Sequence, residues 1–160
     1  MKESWKNRPP GAVDLAIPSS PKSLVVVRGA VERMAKLEGF DEDRAGRIVL
    51  AIDEALANVI KHGYSGASDE TIHVRLEPVT GADGRRGLAV IVRDYGKAVD
   101  PDSIRPRELD EIRPGGLGVH IIRSVMDEAE YSCPADGGMQ LRMVKYIDDA
   151  PAASKPTCRQ

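Results

Sequence analysis

Glu54-Ala55-Leu56-Ala57-Asn58-Val59-Ile60-Lys61-His62 sets a carboxylate, a carboxamide and an imidazole four residues apart on an otherwise apolar helical pattern. At a helical period these three side chains stack along one stripe. Ile48, Val49, Ile52, Ala55, Leu56 and Val59 form the apolar face of the same helix. On a helical wheel Glu54 and Asn58 point roughly 120–160° away from the centre of that face, so they are not core residues. The stripe carries a potential base, a potential metal ligand and a hydrogen-bonding ring.

The helix has readable limits. Asp41, opening Asp41-Glu42-Asp43, is its N-cap, and the acidic cluster suits the positive end of the helix dipole. It runs to about Lys61, with Gly63 available for a left-handed C-terminal turn. Upstream, Leu24, Val27, Ala30, Val31, Met34 and Leu37 recur at helical spacing and define an earlier helix. Ser19-Ser20-Pro21 precedes it and Gly39 ends it. Ala12 to Ile17 alternates as a first strand. Downstream, Thr71 to Glu77 and Gly87 to Arg93 read as antiparallel strands joined through Gly81-Ala82-Asp83-Gly84.

Lys97 to Pro114 has three prolines, charges of both signs and no hydrophobic period; a loop of about eighteen residues inside a compact domain has the length of a lid. Gly115-Gly116-Leu117-Gly118 opens a third helix through about Met126. Glu130 to Cys133 and Met139 to Ile147 finish as strands around Gly137-Gly138, and Met126, Met139 and Met143 belong to the core. The order β-α-α-β-β-lid-α-β-β predicts an α+β two-layer sandwich, with a mixed, mostly antiparallel sheet and helices on one face. One domain spans residues 12–147, between loose ends at 1–11 and 148–160.

Composition narrows the function. A formal net charge of -2 with both signs interspersed gives no basic field for nucleic acid, so protein or small-molecule partners are favoured. Cys133 and Cys158 have neither metal-ligand nor disulfide-framework spacing. No segment approaches the roughly 20 apolar residues of a membrane span, and a cytoplasmic location is expected.

Three clusters therefore remain: Glu54/Asn58/His62, Asp94-Tyr95-Gly96 at a strand end, and Gly115-Gly116-Leu117-Gly118 at a helix start. A glycine-rich turn entering a helix presents backbone N–H groups at the positive dipole end, which suits phosphate oxygens. An aspartate at a strand terminus can accept a hydrogen bond from an exocyclic amine such as that of adenine. Asn offers a neutral oxygen to Mg²⁺, a hard cation that keeps waters and substrate phosphates as its other ligands. His62 beside Gly63 is equally explained as a complement to the negative helix end.

The clusters, their order and the intervening lid resemble the N, G1 and G2 boxes of the GHKL ATP-binding (Bergerat) fold. Ala51-Ile52-Asp53-Glu54-Ala55-Leu56-Ala57-Asn58 with His62-Gly63-Tyr64, and Val92-Arg93-Asp94-Tyr95-Gly96, are most similar to those of bacterial anti-sigma-factor serine/threonine kinases. The resemblance implies ATP and Mg²⁺ as cofactors, Glu54 as general base and Asn58 as the Mg²⁺ ligand. It further implies adenine recognition by Asp94, close approach of the base at Gly96, and phosphate wrapping by Gly115, Gly116, Leu117 and Gly118. Lys97 or one of Arg105, Arg107 and Arg113 would meet phosphate. The implied partners are a sigma factor, contacted around Arg28, and an anti-anti-sigma STAS-domain protein phosphorylated on serine or threonine; a homodimer is also implied. Two alternatives remain: a nucleotide-gated regulator without turnover, and a detached histidine-kinase catalytic domain. The chain departs from the family pattern at Lys97-Ala98, where a second glycine is common, and at Gly138-Met139-Gln140, where Gly-Thr is common.

Overall fold

The structure is a computed structural model that describes residues 7–96 and 117–147. Strand β1 (Val13–Pro18) leads through a 3₁₀ turn (Pro21–Ser23) into helix α1 (Leu24–Glu38). Gly39 ends α1 in the left-handed region, with φ at 108°, where a side chain would be strained. Asp41 caps helix α2 (Glu42–Asn58), its Oδ1 accepting the Arg44 N–H at 2.8 Å. Strands β2 (Thr71–Thr80) and β3 (Arg86–Asp94) form a hairpin. Helix α3 (Leu117–Val125) and the hairpin of β4 (Glu128–Ser132) and β5 (Met139–Tyr146) complete the described chain.

The five strands lie in the order β1-β2-β3-β5-β4, and all four neighbouring pairs are antiparallel. The α+β sandwich is as expected, and among the described residues the sheet is wholly antiparallel rather than mixed. Two helices separate β1 from β2, which returns the chain antiparallel. One helix separates β3 from β4, which makes those two point the same way, but β5 inserts between them and pairs with both. No parallel contact results.

The helices cover one face, and alternate strand residues meet them. Ile72, Val74 and Leu76 from β2, Leu88, Val90 and Val92 from β3, and Leu141 and Met143 from β5 are buried against Val27 and Val31 of α1 and Ile48, Ile52 and Leu56 of α2. Each large aliphatic side chain withdrawn from water contributes about 2 kcal/mol. Met126, Met139 and Met143 are buried as expected, whereas Leu37 is 78% exposed. Leu37 lies roughly 110° around α1 from the centre of the buried stripe, outside the arc that meets the sheet.

Helix α2 does not end as the sequence predicts. After Asn58 it widens into a π-helical turn over Val59–Gly63, with the Tyr64 N–H donating to the Val59 carbonyl at 3.0 Å. Gly63 is not left-handed; Ser65 (φ 52°) and Gly66 (φ 85°) are, one step later. This turn carries the chain to the end of β3.

Candidate functional site

Glu54 and Asn58 lie one turn apart on α2, both half-buried, and the start of α3 is seated on them. A Cβ built on Gly118 would stand 2.8 Å from Glu54 Oε2, 3.3 Å from Asn58 Nδ2 and 3.6 Å from Asn58 Oδ1. Only glycine lets the first turn of α3 come this close without displacing the carboxylate. The neighbouring Asp53 faces elsewhere: its two carboxylate oxygens accept from Arg28 Nε of α1 at 2.8 and 2.7 Å, and this pairing raises the Arg28 pKa further. Of the two adjacent carboxylates, Glu54 is the one turned to α3.

At the far end of the same helix lies Asp94, only 4% exposed at the end of β3. Burial pushes its pKa up, while the Gly96 N–H that donates to Oδ1 at 2.9 Å and the adjacent Arg93 guanidinium oppose that shift. Three glycines surround it. A Cβ on Gly63 would lie 3.3 Å from Asp94 Oδ1, one on Gly96 would run into the Gly63 carbonyl, and one on Gly138 would run into the Asp94 carbonyl. Gly138 also has φ at 71°. Glu54 and Gly63 are separated by roughly 13 Å along the helix, so one element holds both ends of an elongated site.

The corner beyond β3 is tied down from two sides. The Tyr64 hydroxyl accepts the Tyr95 N–H at 2.9 Å and donates to the Thr71 carbonyl at 2.7 Å. Burial raises the Tyr64 pKa above its ordinary value of 10.0, so the phenol stays protonated and can do both. On the opposite side Arg93, fully buried, donates from Nη2 to Asp136 Oδ1 at 2.7 Å and to the Gly137 carbonyl, and lies 4.7 Å from the Tyr95 ring centre. That grip holds the Gly137-Gly138 turn under Asp94. Met139 is the cross-strand partner of Asp94, buried, with its sulfur 3.3 Å from Cys133 Sγ. The wall beside Asp94 on β5 is therefore a thioether.

Of the predicted site residues, Glu54, Asn58 and Gly118 come together, with Leu117 exposed at the start of α3, and Asp94 and Gly96 come together at the other end. His62 is exposed. Lys97, Arg105, Arg107, Arg113, Gly115 and Gly116, with the predicted lid over 97–114, lie outside the described residues. Tyr64, Arg93 and Gly138 stood within or beside the matched stretches, but the sequence assigned them no role; their contacts with the Asp94 corner come from residues distant in the chain.

At Gly118 the backbone packs against the Glu54 and Asn58 side chains, and at Gly96 it packs against the Gly63 carbonyl and the Tyr64 ring. Among the described residues no three His, Cys, Asp or Glu side chains converge on a common point. A cation beside Asn58 would thus draw its other ligands from phosphate oxygens and water.

The family described as "Histidine kinase-like ATPase domain" matches residues 17–145. The serine-protein kinase RsbW of Listeria monocytogenes serotype 4a (strain HCC23) is 30% identical over 145 residues, covering 86% of this chain and 88% of that protein. RsbW of Bacillus subtilis (strain 168) is 24% identical over 144 residues, covering 85% and 86%. Among solved structures, the SiaB-SiaC complex from Pseudomonas aeruginosa superposes with a TM-score of 0.59 at 15% identity, covering 82% of this chain and 88% of that one. The RsbU and RsbW domains of Rv1364c from Mycobacterium tuberculosis give 0.57 at 20% identity, covering 87% of this chain and 33% of that one. These two likenesses concern the fold.

Proposed function

The chain belongs to the histidine kinase-like ATPase domain family, and on that footing we propose that it is an ATP-dependent serine/threonine protein kinase of the anti-sigma-factor type. It binds a sigma factor and phosphorylates an anti-anti-sigma STAS-domain protein, working as a homodimer in the cytoplasm. Relatives named serine-protein kinase RsbW support the activity. Among the described residues no helix is long and apolar enough to cross a membrane.

The observation that carries the reading is the seating of Gly118 on Glu54 and Asn58. It brings a potential base, a neutral oxygen donor and the start of a helix to one point, as phosphoryl transfer requires. Mg²⁺-ATP, when bound, supplies the transferable phosphoryl group and much of the charge neutralisation. Asn58 would hold the cation, and the α3 N-terminus, with Gly115, Gly116, Leu117 and Gly118, would face the phosphates. Lys97 and Arg113 are proposed to add positive charge there. Glu54 accepts the proton of the attacking serine hydroxyl. Asp94 would accept a hydrogen bond from the exocyclic amine and so select adenine, and Gly96 would leave room for the ring.

The test is transfer from labelled ATP to candidate STAS-domain proteins. Glu54→Gln should retain nucleotide and lose transfer, while Asn58→Ala should lose Mg²⁺-dependent nucleotide binding. Undiminished transfer by Glu54→Gln would remove the base assignment. Nucleotide binding by wild type without any transfer would favour the nucleotide-gated regulator, and acid-labile phosphate on the acceptor would favour a histidine kinase.

A further inference from the structure

We propose that Tyr64 is a positioning residue for the base end of the nucleotide site, pinning the Asp94-Tyr95-Gly96 corner to the end of α2. The inference rests on the nucleotide reading given above. The register of β2 and β3 pairs His73 with Arg93, and continuing it by two residues would set Thr71 opposite Tyr95. The ladder stops short of that pair. The Tyr64 hydroxyl stands there instead, accepting from the Tyr95 N–H and donating to the Thr71 carbonyl.

The inserted phenol changes the geometry of the corner. Two strand ends that would otherwise zip together are held apart by one side chain, and the chain after Asp94 is turned toward Gly63. The same side chain closes over the corner, since a Cβ on Gly96 would come within 3.0 Å of Tyr64 Cδ1. Tyr64 directly follows the π-helical turn that extends α2. The helix that bears Glu54 and Asn58 is thereby tied to the Asp94 corner by one hydrogen bond, from Tyr95, and to the start of β2 by a second, to Thr71. Tyr64 fixes the distance between the two ends of the site while contacting neither reacting group.

Tyr64→Phe keeps the ring and removes both bonds. The expected result is a rise of about tenfold in KM and Kd for ATP, with kcat at saturating ATP within about twofold of wild type. Amide exchange at Tyr95 should accelerate, and the melting temperature should stay close to that of wild type. Faster Tyr95 exchange with unchanged ATP affinity would overturn the role while leaving the kinase reading intact. So would a fall in kcat at unchanged KM, or global unfolding of the variant, which would make the hydroxyl a catalytic or a folding determinant. Failure of the wild-type chain to bind ATP would overturn the site reading itself and this role with it.

Discussion

Gly118→Ala isolates the placement of the catalytic pair from the stability of the fold. The added Cβ would sit 2.8 Å from Glu54 Oε2, and the carboxylate must retreat to the 3.4 Å at which ordinary contact begins, about 0.6 Å. Oε2 is the tip of a flexible side chain, so a shifted torsion costs about 1 kcal/mol. Replacing a helical glycine by alanine returns about 1 kcal/mol, and Gly118 has no positive φ to forbid it. The two effects offset each other, and denaturant midpoints of variant and wild type should coincide. Transfer is far less forgiving: a misplacement of about 1 Å costs on the order of 10²-fold. The expected loss of kcat is about 10- to 100-fold, equivalent to about 1.4–2.7 kcal/mol in barrier. Single-turnover transfer from saturating labelled ATP to the STAS-domain partner measures it, with urea titration in parallel. A kcat within about threefold of wild type in a folded variant would refute the argument that Gly118 sets the position of Glu54.

Asp94→Asn should stabilise the fold while removing adenine-nucleotide binding. Burial raises the folded-state pKa of Asp94 above its ordinary 3.8, so its contribution is most favourable below that value and is lost as pH rises through the folded pKa. The melting temperature of Asp94→Asn should therefore exceed that of wild type at pH 7, with the gap narrowing as pH falls toward 3.8; an unchanged gap across that range would contradict the burial argument. Asp136→Asn weakens the compensation of the fully buried Arg93 guanidinium, whose Nε and Nη1 have no hydrogen-bond partner among the described residues. Because Asp136 is 30% exposed, the loss should be about 2 kcal/mol by urea titration, below the range for a wholly buried pair.

How far the fold was legible depended on whether its signals were local. Gly39 and Asp41 set the junction of α1 and α2 by left-handed backbone and side-chain capping, both readable from neighbours in sequence. Strand β2 was predicted to stop at Glu77 but continues through Pro78. β1 ends its pairing at Leu76, so Pro78 has an unpaired edge on one side where its missing N–H costs no ladder bond. That vacancy belongs to another strand and leaves no mark around position 78. The π-helical turn escaped for the same reason. It sits where Gly63 approaches Gly96 and Asp94, which lie more than thirty residues further along the chain and leave no local mark.

The Glu54 stripe shows how much a single helix can and cannot disclose. Periodicity placed Glu54 and Asn58 off the apolar face, and by that measure alone they would be solvated. Both are instead half-buried beneath α3. The polar face of α2 is a second packing surface, and what allows α3 to approach it is the absence of a side chain at position 118. A residue larger than alanine there would hold α3 away from the pair and leave it open to water. Polarity on one helix and a glycine on another are thus a single feature, since neither makes a walled site without the other.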